Sequence, residues 1–208
     1  IRSEEVLEHF LGNPDPLRFY LCHEIPVGND GDFSWKRIDE VYDAKLRNQL
    51  GNMLNRVLVL LKKDEGVVVV EGGHEDMTQT AQEWDKYDAS MNQFDVHGAI
   101  QQVSAAVSAM NAAFNDSAPW TIKDDVKKRI AMLGSVAECL RHVSLMLLPF
   151  IPASAQEISR QLGVPYAEKM LDKDFVITKE LKTWGGVKDW KRVGEPKILF
   201  APLNVQKN

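Results

Sequence analysis

Two cysteines, Cys22 and Cys139, are all that this chain of 208 residues contains. Two are too few for a disulfide framework, and they lack the spacing of metal ligands, so both read as free thiols of a reducing compartment. No apolar run approaches the roughly 18 residues of a membrane helix. The opening Ile1-Arg-Ser-Glu-Glu is unlike a signal peptide, and it carries no initiator Met. The expectation is a cytoplasmic chain without a membrane span that begins inside a longer protein. There is no internal repeat, no low-complexity segment, no Gly-x-Ser-x-Gly elbow and no Walker loop.

Catalytic constellations are equally scarce. His9, His23, His74, His97 and His142 are scattered and read as surface or satisfied core groups. Glu71 and His74 have a Glu-x-x-His spacing, but two glycines separate them and no second copy exists. Cys22 and His23 are adjacent, which turns their side chains apart. Asp30 and Asp32 sit in the loop Gly28-Asn-Asp-Gly-Asp-Phe, where a calcium site would need a third ligand and a distal Glu. A turn is the expectation there. No catalytic residue, metal site or cofactor site is therefore assigned to this chain.

What is present is an ordinary globular composition, 44% hydrophobic and 26% charged, with a formal net charge of -5. Acidity argues mildly against nucleic-acid binding. The charge is uneven, however. From Gly163 onward nine Lys/Arg stand against six Asp/Glu, which makes a positive edge on an acidic body. That arrangement is compatible with RNA and restrains indiscriminate phosphate binding.

Helical periodicity dominates, and the fold class is all-α. Ser3 is placed to cap a short helix to about Phe10, ended by Gly12-Asn-Pro14. Leu17 to Ile25 fits a strand or a helix. From a Ser34 cap, Ile38, Val41, Tyr42, Leu46, Leu50, Met53, Leu54, Val57, Leu58 and Leu61 make one broad stripe. That helix would run to about Lys63, roughly 45 Å at 1.5 Å per residue. Gly51 inside it costs about 1 kcal/mol against Ala, which a closely packed neighbouring helix would explain. Val67-Val-Val-Val70 reads as a small strand or an insertion. Further helices are expected from Thr78 to about Phe94, from an Asp95 cap to about Asn115, from about Asp124 to Leu148, and from Ala153 to Leu162, with Gly163 as the stop. The remainder is irregular, with room for one hairpin. Four or five helices with short connections make a bundle.

Three residues stand out on this framework. Asn52 and Arg56 are four apart on one helix and so share a face. Trp120 follows Pro119 between two helical segments. An Asn/Arg pair also suits a solvated face or a structural ion pair, and a Trp is often a core anchor. Together, an amide, a guanidinium and an indole are what unstacked bases require: partners for their edges and a plane to stack on.

The ordered series Asp15-Pro-Leu-Arg-Phe-Tyr-Leu21, Gly28-Asn-Asp-Gly-Asp-Phe-Ser34, Leu50-Gly-Asn-Met-Leu-Asn-Arg56, Ala118-Pro-Trp120, Leu148-Pro-Phe-Ile-Pro152, Trp184-Gly-Gly186 and Val193-Gly-Glu-Pro196 with Leu199-Phe200 resembles the C-terminal half of the methionyl-tRNA synthetase family. The resemblance covers residues 3 to about 203. It implies a class I synthetase-type anticodon-binding helix bundle at 34–162. A small connecting segment that contacts the tRNA stem would precede it at 1–33, as a helix-like turn feeding a strand, and an arm at 163–208 would return toward the catalytic domain. It implies methionine tRNA with a CAU anticodon as partner, with Trp120 stacked on the first anticodon base and Asn52 and Arg56 bonding base edges. The family often has Asp where Asn115 stands. The family's His-Ile-Gly-His and Lys-Met-Ser-Lys-Ser signatures are not in the chain. Adenylation with ATP and Mg would then belong to a catalytic domain ending just before it, and the chain by itself is expected to be inactive. With no added domain after the arm, a monomeric parent is expected. Two other readings are the bundle of another class I synthetase and a helical protein-interaction scaffold without an RNA role.

Overall fold

A computed structural model describes residues 2–31, 33–70 and 83–203. The described residues form helices, turns and irregular segments. In chain order they are α1 (Ser3–His9), α2 (Asp15–Glu24), α3 (Trp35–Val41), a π-helical stretch (Tyr42–Gly51), α4 (Asn52–Lys63), α5 (Trp84–Asn92), α6 (Val96–Ser117), a 3-10 turn (Pro119–Thr121), α7 (Val126–Leu147), α8 (Pro152–Leu162) and a second 3-10 turn (Ala167–Lys169).

The helix starts follow local chemistry. Ser34 Oγ accepts from Arg37 N, Asp95 Oδ1 from Gly98 N at 2.8 Å, and Asp125 Oδ1 from Lys128 N at 2.9 Å. Pro152 opens α8, and Gly163 closes it in the left-handed conformation, φ 78°. α1 begins at Ser3 itself, with Arg2 in the cap position. The segment 17–25 is the helix α2, turning Phe19, Tyr20 and His23 inward, and a turn follows it rather than a strand. Of the helix expected from Thr78, the described part is α5; Glu71 and His74 lie outside the described residues. Residues 67–70 are irregular and lie on α7 at Gly134, where the Val69 carbonyl oxygen occupies the space of a Cβ.

α7 is the hub. It packs against α8, α6 and α4, and every residue from Leu133 to Leu147 is buried. Its length and composition would also suit a membrane crossing, contrary to the reading of apolar runs above, yet most of it is enclosed by the other helices. α2 holds the α7–α8 corner. Arg18 donates to the carbonyls of Pro149 and Phe150 at 2.7 and 2.8 Å, and Asp15 Oδ2 accepts from Ser154 N at 2.7 Å. These bonds account for the charged residues in Asp15-Pro-Leu-Arg18.

Three polar residues inside α7 bind the C-terminal arm. Arg141 is fully buried and doubly bonded to Glu138, at 2.6 and 2.8 Å. Its remaining donors reach the carbonyls of Leu181 (2.7 Å) and Thr183 (3.2 Å), and Gly185 N donates to Glu138 Oε1 at 2.8 Å. Trp84 Nε1 donates to His142 Nδ1 at 2.8 Å, and the His142 ring lies parallel to Trp184 with centroids 6.1 Å apart. The arm continues by single bonds, Lys191 N to Gly163 O and Gly194 N to Gln161 O at the end of α8, and Val193 N to Gly66 O beyond α4. Its backbone is thus spent on the bundle, and among the described residues it forms no hairpin.

Burial pushes the Glu138 carboxyl up, but the hydrogen bonds and charges of Arg141 and His142 outweigh it and set it at about 2. A pKa lowered on folding stabilises above the unfolded value near 4.5, and that contribution is lost as pH falls toward 2. Urea unfolding midpoints should therefore fall between about pH 4.5 and 2 more steeply for wild type than for Glu138→Gln. Arg141→Ala, which strands a buried carboxylate, should cost about 3–5 kcal/mol in the same assay at neutral pH.

Candidate nucleic-acid interface

Asn52, Arg56 and Trp120 come from two places in the chain. Asn52 is the first residue of α4 and is exposed; Arg56 lies one turn further along and is half-buried. Trp120 is delivered by the break between α6 and α7. α6 ends at Ala118 in the left-handed conformation, φ 39°, which is strained for a residue with a Cβ. Pro119 then opens the 3-10 turn that carries the indole. Arg129 secures this turn, donating to the Ile122 carbonyl while its Nε donates to Asp64 Oδ2 at 2.8 Å, at the end of α4. The Arg129 hydrogen bonds hold the Asp64 carboxyl below its ordinary value.

The result is a layered cluster. The Arg56 guanidinium carbon stands 4.7 Å from the Phe114 ring centre and 5.0 Å from that of Trp120. The two rings are 5.4 Å apart and tilted by 51°. Phe114 is wholly buried, whereas Trp120 is 43% exposed. Both Arg56 terminal nitrogens donate to Asn115 Oδ1 at 3.2 Å. That partner is a neutral amide, so the guanidinium keeps its charge and donors for a ligand. Asn111 Nδ2 donates to the Gln49 carbonyl at 3.1 Å, tying α6 to the residues just before Asn52.

The structure thus brings Arg56 and Trp120 into contact, with Asn52 beside Arg56 on the same helix. Asn115 and Phe114, as the groups that seat Arg56, were not assigned this part from the sequence. Their position five and six residues before Trp120, at the end of a helix, was the available signal. An exposed indole, a packed guanidinium and an exposed amide make a candidate surface with the chemistry that stacking and hydrogen bonds to base edges require.

Comparison with known proteins first defines a class. Residues 1–58 match the family of class I (M) tRNA synthetases. Residues 65–201 match the anticodon-binding domain of methionyl-tRNA ligase, and the chain belongs to that family. Among curated relatives, the methionine–tRNA ligase of Fusobacterium nucleatum is 30% identical over 207 residues, covering 93% of this chain and 31% of that protein. That of Caldanaerobacter subterraneus is 30% identical over 208 residues, with 93% and 30% covered. The chain therefore spans about a third of the length of these relatives. The free-state crystal structure of Mycobacterium tuberculosis methionyl-tRNA synthetase has the same fold, with a TM-score of 0.79, 21% identity, and 97% of this chain and 41% of that one covered.

Because the indole is partly exposed, Trp120→Ala should cost less than about 2 kcal/mol in thermal unfolding; a loss of about 3–5 kcal/mol would mark it as core.

Proposed function

We propose that this chain is the tRNA-reading part of a methionine–tRNA ligase and that it recognises the CAU anticodon. The observation that carries this reading is the cluster in which Arg56 lies against Phe114 and the half-exposed Trp120, one turn from the exposed Asn52. Trp120 offers the plane for the first anticodon base. Stacking of this kind is worth on the order of 1–3 kcal/mol per base. Asn52 and the free Arg56 donors meet base edges. A base that leaves such a group unmatched forfeits about 1–3 kcal/mol, which is the source of discrimination.

The complete ligase joins methionine to tRNA at the expense of ATP. ATP and Mg are assigned to the catalytic domain, and no chemical step to this chain. Residues 1–33 serve as the connection toward the tRNA stem, 34–162 as the reading bundle and 163–208 as the arm directed to the catalytic domain. This reading assigns the ligase to the cytoplasm, with tRNA and its own catalytic domain as partners.

Titration of the chain with anticodon stem-loops carrying CAU or GAU at fixed low salt tests this reading. Wild type should prefer CAU, and Arg56→Gln should reduce the preference by about tenfold, the equivalent of one matched polar contact. Equal binding of the two stem-loops by wild type would defeat the assignment.

A further inference from the structure

The direction of Asn52 and Arg56 is set by the ten π-helical residues that precede them, Tyr42–Gly51. Long π-helices are rare, and π segments concentrate at functional sites. Local preference does not explain this one. Ala44, Lys45, Leu46, Arg47 and Gln49 are all good α-helix formers. Relaxation to an α-helix would turn α4 about its axis by on the order of 100° for each residue of register regained. Asn52 and Arg56 would swing away from Trp120. Contacts from outside the helix must therefore hold the stretch.

One residue touches both of its ends. Phe200 is buried, and its ring meets Tyr42, the first π residue, edge-on at 6.0 Å. It also covers Gly51, the last π residue, where an added Cβ would stand 3.2 Å from Phe200 Cδ2 and 3.3 Å from the Leu46 carbonyl oxygen. The Tyr42 hydroxyl donates to the next carbonyl of the arm, Ala201 O, at 2.7 Å. The neighbour that explains Gly51 is thus the arm and not another helix.

We propose that Phe200 is a positioning residue for anticodon reading: wedged between Tyr42 and Gly51, it holds the π stretch and so fixes the face on which Asn52 and Arg56 meet the RNA. This rests on the reading of Asn52 and Arg56 as base contacts. The arm and the reading helix are then one mechanical unit, and a shift of the arm changes base discrimination one residue away from Asn52.

Two variants of the whole chain test it. Phe200→Leu keeps most of the apolar volume but loses the flat ring, and Gly51→Ala pushes on that ring while raising helix propensity. In the RNA-free chain, hydrogen exchange of the amides of residues 42–56 should be about fivefold faster in Phe200→Leu, with α6 unchanged. Gly51→Ala should lose about fivefold of the CAU-over-GAU preference without lowering the unfolding temperature. Phe200→Leu should lose a similar share of that preference, and the double variant should show less than the two losses combined. Unchanged exchange in Phe200→Leu, or full CAU preference in both variants, overturns the proposal. A wild-type chain with no CAU preference removes the anticodon reading itself, while the exchange result still decides whether Phe200 holds the π stretch.

Discussion

The ion pair between Glu138 and Arg141 is the constraint on which this architecture turns. A helix buried on all sides is ordinarily apolar, and α7 departs from that rule at three successive inward positions on its arm-facing side. Desolvating a guanidinium and a carboxylate is tolerable only if their remaining valences are filled. The carbonyls of Leu181 and Thr183 and the amide of Gly185 fill them. Irregular backbone is thereby tied to α7 at Leu181, Thr183 and Gly185.

The same logic runs outward to the candidate surface. The arm that α7 anchors continues past α8 and returns over Tyr42 and Gly51. α6 reaches the site from the other side through Phe114, Asn115 and the Ala118 break. Arg129, near the start of α7, closes the cluster by binding both Asp64 and Ile122. The candidate RNA-facing side chains thus draw their support from several elements, as a surface that discriminates by geometry needs.

Much of this was legible from local signals. The caps at Ser34 and Asp95, the Gly163 stop and the apolar stripes specify elements within a few residues, so they survive without knowledge of the fold. The Asn52/Arg56 pair was legible because helical spacing alone puts both on one face. What was hidden depends on distant partners. The π stretch runs against the preferences of its own residues. The partial alternation of residues 17–25 imitates a strand, whereas the buried residues Phe19, Tyr20 and His23 of α2 follow the helical period. The arm looked capable of a hairpin because nothing in its sequence says that its amides bond to Gly163, Gly66 and Gln161 instead. The exposure of Trp120, which separates a platform from a core anchor, depends on Phe114 occupying the space beneath it.

Ala118 gives the Trp120 platform a further property. The strained backbone at Ala118 and the ring of Pro119 leave the stem of the indole few conformations, and Phe114 and Arg56 restrict the ring itself. Most of the entropy that a side chain normally surrenders when a ligand stacks on it has already been surrendered during folding. Strain of about 1–2 kcal/mol in the folded backbone is in this sense a deposit of preorganisation, and under the proposed reading a base arriving at Trp120 would meet a surface with little ordering left to do.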